Sequence, residues 1–239
     1  MVDLTINGVS QTLDGTHTYD YVNITNGGIL YVTPYNGTGT TGRLIINAIE
    51  VNVDSSSSII GFKRGYRGGA ATYCSGAFGG ELQGYGGGAF SPSHGAGGGG
   101  YGTVGGNGSA GGAGGPIQGT LDGPDIQMGN GGGAAGTAWC VTVGGGEPGG
   151  AMLTINAQNI NIHGTVNFDG GAGGGGDAYP GGGASGGGIL FNATNIDVSS
   201  ATITANGGSG GVSTSGGGTG EPGGAGRIKI FFISAYSDS

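Results

Sequence analysis

Leu153-Thr154-Ile155-Asn156-Ala157-Gln158-Asn159-Ile160-Asn161-Ile162 is answered 36 residues later by Ile189-Leu190-Phe191-Asn192-Ala193-Thr194-Asn195-Ile196-Asp197-Val198. The same wording stands 109 residues upstream of the first copy, close to three such periods, as Leu44-Ile45-Ile46-Asn47-Ala48-Ile49-Glu50-Val51-Asn52-Val53. Apolar residues alternate with polar ones on either side of a central Asn-Ala. Alternation at period two is the pattern of a half-buried strand. Strands that recur at a fixed spacing of this size, none able to bury its apolar face alone, point to a parallel β-helix (β-solenoid), in which stacking supplies the core.

Working outward, each copy leads to a second short strand and then to glycine. Thr165-Val166-Asn167-Phe168-Asp169-Gly170-Gly171 matches Thr202-Ile203-Thr204-Ala205-Asn206-Gly207-Gly208. Glu147-Pro148-Gly149-Gly150-Ala151, Tyr179-Pro180-Gly181-Gly182 and Glu221-Pro222-Gly223-Gly224-Ala225 each precede the start of a strand, the last leading into Ile228-Lys229-Ile230-Phe231-Phe232. Tyr19–Ile24 and Gly28–Thr33 read as the first coils, and the Asn-Ala pairs as corners, where asparagine tolerates turn geometry. No segment reads as a helix. The expected organisation is N-terminal coils over 1–64, a glycine-rich insertion over 65–151, and C-terminal coils over 152–239 carrying glycine loops at 171–188 and 207–226.

Glycine accounts for 67 of the 239 residues, yet seven prolines and the lack of a Gly-X-Y period exclude collagen. A chain that is 35% hydrophobic and 8% charged, with its apolar residues in strand patterns, carries a core. Runs such as Gly95-Ala96-Gly97-Gly98-Gly99-Gly100 and Gly131-Gly132-Gly133-Ala134-Ala135 suit polyglycine-II helices, which pack side by side because nothing protrudes. A mobile loop is the other reading of 65–151. The loops at 171–188 and 207–226 are able to join such a bundle. The aromatics set into glycine, among them Tyr66, Tyr101, Trp139 and Tyr179, either cap the bundle or project from it as recognition groups.

Chemistry is hard to find. Gly-x-Gly-x-x-Gly is unavoidable at this glycine content, and neither Lys63 nor Lys229 has the neighbours of a phosphate loop. Gly-x-Ser-x-Gly around Ser185 and Ser209 lacks the strand and helix of a nucleophile elbow. His17, His94 and His163 belong to separate segments, and no metal or other cofactor is expected: the glycine-rich calcium repeat is not met even at Asp177. A polysaccharide-cleaving β-helix needs clustered acids, for which Glu50, Asp169 and Asp197 are the candidates. Cys74 and Cys140 are either a disulfide or two free thiols. With a formal net charge of −8 and one basic segment, Phe62-Lys63-Arg64-Gly65-Tyr66-Arg67-Gly68, nucleic acid is not an expected partner. No stretch is long and apolar enough for membrane insertion. Met1-Val2-Asp3-Leu4-Thr5-Ile6 has no leader character, which fits either release of the protein by lysis, as for virion components, or a sequence numbered from a processed start.

The alternation of glycine runs with variable segments over 65–151 resembles the tip adhesins of T-even-like phage long tail fibres, and the flanking coils resemble the glycine-looped β-helices of microbial surface proteins. The resemblance implies a non-enzymatic virion structural or receptor-binding protein, part of a fibre, decoration or adhesin, exposed on the virion surface. Its partners would be its own copies or other virion subunits, and a host cell-surface receptor or glycan. Contact residues implied by that resemblance are Phe90, Ser91, His94, Gln118, Asp122, Asp125, Gln127 and Tyr179. The alternative is a subunit of an extracellular microbial filament or surface adhesin, and a third reading is the polysaccharide-degrading enzyme.

Overall fold

Alternating β-branched and polar residues favour strands because the branched side chains pack on one face of a pleat while the other stays wet. The computed structural model of the chain describes residues 2–70, 95–108, 112–135, 144–177, 179–215 and 218–232. Among them there is no helix, and the protein is all-β. Among the described residues twelve strands pair in parallel to form two sheets. They are β1 (Leu4–Asn7), β2 (Ser10–Leu13), β3 (Gly15–Thr18), β4 (Tyr21–Thr25), β5 (Ile29–Val32), β6 (Arg43–Val53), β7 (Ser58–Ile60), β8 (Met152–Ile162), β9 (Thr165–Asn167), β10 (Gly188–Asp197), β11 (Thr202–Thr204) and β12 (Arg227–Phe232). The larger sheet runs β1-β4-β6-β8-β10-β12, with β3 beside β6; the smaller runs β11-β9-β7-β5-β2.

The three sequence copies lie side by side in register. Leu44 pairs with Leu153 and Leu153 with Ile189, while Ile46, Ile155 and Phe191 form the next row. β3 and β4 together match the length of β6, Gly15–Thr18 meeting its first half and Tyr21–Ile24 its second. Parallel pairing of like with like piles each inward position into a column, about 4.8 Å apart per strand. Val22, Val51 and Ile160 make one such column and Leu30, Ile59 and Val166 another, all fully buried.

Two details differ from the sequence reading. A pass of chain precedes Tyr19: β1 and β2 pair with β4 and β5 at offsets of 18 and 19 residues, since Leu4 meets Val22 and Ser10 meets Ile29. Without a glycine loop a pass needs only about half the later spacing, so the period search missed it. The Asn-Ala pairs are not turns either, because β6, β8 and β10 run straight through them. The change of face is made inside the strand: in β6 the buried positions are Leu44 and Ile46, then Val51 and Val53, an odd step that breaks the alternation. Outside, the asparagines stack, Asn156 Nδ2 donating to Asn47 Oδ1 at 3.0 Å and Asn161 Nδ2 to Asn52 Oδ1 at 2.9 Å.

The glycine segments form a hydrogen-bonded body of their own. Segment 181–187 shows the rule. Its N–H groups at 181, 184 and 187 donate to the carbonyls of Gly174, Gly171 and Phe168; those at 182 and 185 to Gly133 and Asn130; those at 183 and 186 to Glu221 and Gly224. The carbonyl of Pro180 just before it and that of Gly183 accept from Ala96 and Gly99, those at 181 and 184 from Gly211 and Gly208, and that of Ser185 from Gly150. Partners therefore recur every third residue, and one extended segment is bonded on all sides rather than along two edges.

Such approach leaves no room for side chains. A Cβ on Gly182 would sit 2.0 Å from the Gly97 carbonyl oxygen, on Gly183 2.2 Å from that of Gly208, and on Gly187 1.9 Å from that of Ala151. Positive φ is not the reason for these glycines, since none of the three adopts it. Backbone oxygens cannot swing aside as side-chain tips do. We expect Gly182→Ala to lower the unfolding free energy by about 3 kcal/mol. Gly175→Ala, whose Cβ has only the Val212 oxygen near it at 3.1 Å, is expected to cost about 1 kcal/mol or less. Chemical denaturation of both variants checks this; equal effects would mean that packing does not choose glycine.

Candidate recognition surface

One loop draws four of the sequence-chosen residues together. Residues 116–127 lie against the last strand of the larger sheet, and the loop turns at Gly119, whose φ is 69°. Two cations reach into it from β12, where they alternate with Ile228. Arg227 donates to the Gln118 carbonyl from Nε at 3.1 Å and Nη2 at 2.7 Å, and to the Gly119 carbonyl at 3.3 Å. Lys229 Nζ donates to the carbonyls of Gly123 and Asp125 at 2.5 and 2.7 Å and to Asp125 Oδ1 at 2.9 Å. Both are only 7% exposed, so they would be costly without these acceptors.

Asp125 is the hinge of the arrangement. Its carboxylate also accepts from the Thr120 N–H at 2.9 Å and the Thr120 hydroxyl at 2.6 Å. Those bonds, then Lys229, hold its carboxyl well below the usual carboxylate range. Gln127 Nε2 donates to Gln118 Oε1 at 3.1 Å, closing the loop's base. Beneath lies Tyr101, fully buried, its hydroxyl accepting from the Gln127 N–H at 2.9 Å and its carbonyl accepting from the Gln118 N–H at 2.8 Å. The Arg227 guanidinium stands 5.8 Å from its ring centroid. Tyr101 and Tyr66 (8% exposed) are buried and do not project from the surface.

The loop's outer side is exposed and partly apolar: Leu121 is 79% and Ile117 55% exposed. Beside it opens a cleft of about 270 Å³ lined by Asp122, Pro124, Leu190, Asn192 and Phe231. Asn192 Nδ2 donates to Asn156 Oδ1 at 3.4 Å, so the cleft opens onto the asparagine rows of the sheet's outer face.

The remaining expectations separate. Tyr179 is half-buried and joins another part of the structure, where its carbonyl accepts from the Gly144 N–H at 2.8 Å. Phe90, Ser91, His94, Cys74 and Cys140 lie outside the described residues. The acids do not assemble: Glu50 accepts from Asn52 Nδ2, Asp197 from the N–H and hydroxyl of Ser199, and Asp169 from the Asn206 N–H. The resolved shifts at carboxylates, on Asp14, Asp54, Asp125 and Asp197, are all downward and caused first by hydrogen bonds. The downward shift at Asp197 is opposite to that of a glycosidase acid. Ser185 is buried, its Oγ accepting from the Asn130 N–H at 2.8 Å, and no group of three metal-ligating side chains occurs among the described residues. Of the basic segment, Lys63 pairs with Glu147 at 3.0 Å and Arg64 donates to the Val32 carbonyl at 2.8 Å.

Sequence reasoning missed Arg227, Lys229 and the cleft residues Leu190, Asn192 and Phe231. The Arg-Ile-Lys-Ile alternation placed two cations on one strand face, which was the available signal. Their partners lie more than 100 residues away and carry no matching pattern. No protein-family model matches the chain, nor does any curated protein or solved structure.

Burial pushes the Tyr101 hydroxyl up to about 12, against the pull of the Gln127 N–H and Arg227. From pH 10 to 12 the unfolded chain therefore releases this proton while the folded protein keeps it, and stability falls as pH rises. Unfolding measured across that window should show a shallower fall in Tyr101→Phe than in wild type; identical slopes would refute the coupling. Lys229→Met is expected to cost about 2 kcal/mol, as unpaired carbonyls do, and to speed amide exchange over 118–125.

Proposed function

We propose that this chain is a non-enzymatic display module: a parallel β-solenoid whose glycine segments form a polyglycine-II bundle, presenting a braced loop to a receptor. Two sheets of parallel strands, entered alternately by the chain and stacked at like positions, support the solenoid. Hydrogen-bond partners at every third residue support polyglycine II, which turns once in three residues. The observation that carries the functional reading is the loop at 116–127. Its base is held by Arg227, Lys229 and Tyr101, while Leu121, Asp122 and the adjoining cleft face solvent. Pre-ordering of this kind lowers the entropy cost of binding.

The receptor class we favour is a cell-surface glycan. Phe231, 38% exposed, offers an apolar ring for the C–H face of a sugar. The Asn192 amide and Asp122 carboxylate supply donors and acceptors for hydroxyls. The setting we propose is the exposed surface of a virion, as fibre, decoration or adhesin component, which rests on the resemblance to tail-fibre tips and not on a matched relative.

Glycan-array and cell-surface binding test this. Asp122→Ala and Asn192→Ala should each weaken binding roughly 30-fold, as loss of a 2 kcal/mol contact does, with unfolding midpoints unchanged. Failure of the wild-type protein to retain any glycan or cell, or release of reducing ends from a polysaccharide panel, would sink the proposal.

A further inference from the structure

The two ends of the strand stack are finished differently. At the first end the inward residues of β1 are covered, Leu4 being 7% and Ile6 0% exposed, although Val9 beyond that strand is exposed. The columns that begin at Leu44 and Ile46 are closed there by Gly15 and His17. His17 is itself held, its ring stacked on Tyr19 at 5.9 Å and its Nε2 2.8 Å from the Asp14 carbonyl oxygen. At the last described strand the same columns end on exposed side chains. Ile228 continues the column of Leu44, Leu153 and Ile189, Ile230 that of Ile46, Ile155 and Phe191, and Phe232 that of Ala48, Ala157 and Ala193. These inward-column residues are 43%, 39% and 63% exposed. β12 pairs only with β10, so the backbone groups along its other edge find no strand partner among the described residues.

An exposed apolar strand edge is a template on which another strand can pair. We propose that the occupant is β12 of a second copy, paired antiparallel about a two-fold axis through Ile230. Resting on the solenoid reading, the choice follows from self-complementarity. In that register Ile230 meets Ile230 of the second copy and Ile228 meets Phe232, so each inward column runs into an inward column, as register in a sheet with one buried face demands. Head-to-tail stacking fails the same comparison, since it would set Ile228 and Ile230 against the closed end at Gly15 and His17. Charge permits the pairing. The chain's net charge of −8 would oppose self-association, but on this loop and strand Arg227 and Lys229 balance Asp122 and Asp125. Leu121 stands beside Ile228 across a cavity of about 230 Å³ and extends the apolar rim.

The geometry has a functional consequence. A two-fold axis between antiparallel strands of one sheet is perpendicular to that sheet, so both outer faces look the same way. Two copies of the Asp122–Phe231 cleft would then meet one surface together, which raises avidity without any new contact.

Sedimentation equilibrium of the full chain is expected to show a dimer that dissociates on dilution, and Ile230→Lys a monomer with the wild-type far-UV circular dichroism. Because that variant could lose its fold, a second measurement uses Ile230→Cys in a Cys74→Ser, Cys140→Ser background. Opposed antiparallel residues lie about 4.5–5.5 Å apart at Cα, within disulfide reach, so Ile230→Cys should cross-link copies on mild oxidation. Val9→Cys, at the closed end and 59% exposed, should cross-link at least tenfold more slowly. A wild-type monomer at every concentration, fibres instead of dimers, or equal cross-linking from the two positions would overturn the proposal. Amide protection in β8 and β10 reports separately on the solenoid, and glycan binding by monomeric Ile230→Lys reports separately on the recognition reading.

Discussion

Backbone carbonyl oxygens occupy the places where side chains would otherwise stand, and the architecture of the glycine region follows from that. Segment 181–187 donates and accepts in directions that rotate with each residue because its neighbours reach its backbone from all sides. Direct backbone contact satisfies the amide groups that a dense, side-chain-free region would otherwise bury unpaired. It also explains how so large a share of glycine is compatible with order. Each glycine loses more conformational entropy than any other residue on folding, and here the return is a hydrogen bond network rather than an apolar core.

The stacked strands solve the complementary problem. Their columns of leucine, isoleucine, valine and phenylalanine make the apolar core that the glycine segments lack, and the two bodies are joined where strand gives way to glycine. Phe168 sits at such a junction. Fully buried, it fills the space beside Gly61, where a Cβ would come within 2.4 Å of its ring, while its carbonyl accepts from the Gly187 N–H at 2.8 Å. This support carries the loop at 116–127, whose position depends on Arg227 and Lys229 being nearly buried at the edge of the sheet.

Much of the fold was legible because repetition and register are the same fact seen twice. Residues 153–162 and 189–198 look alike because each pairs with the other position for position, so Leu153 against Ile189 and Asn156 against Asn192 could be read from their spacing. The first pass, β1 and β2, escaped notice because it lacks the Asn-Ala signature and returns after 18 residues. Asn47, Asn156 and Asn192 were recognised as special, though for a turn they do not make; their amides instead ladder along the outer face.

The chain by itself determined its strands, their parallel partners and the need for glycine between them, since alternation and periodicity are local and side-chain burial enforces them. Gln118, Asp122, Asp125 and Gln127 could be singled out as a loop, but what fastens that loop could not. Lys229 meets Asp125 across 104 residues, and Arg227 meets Gln118 across 109. Those meetings depend on the path of the intervening glycine segments, which have no side chains to encode a partner. Only the assembled backbone contacts decide where that path leads, and with it where that loop is fastened.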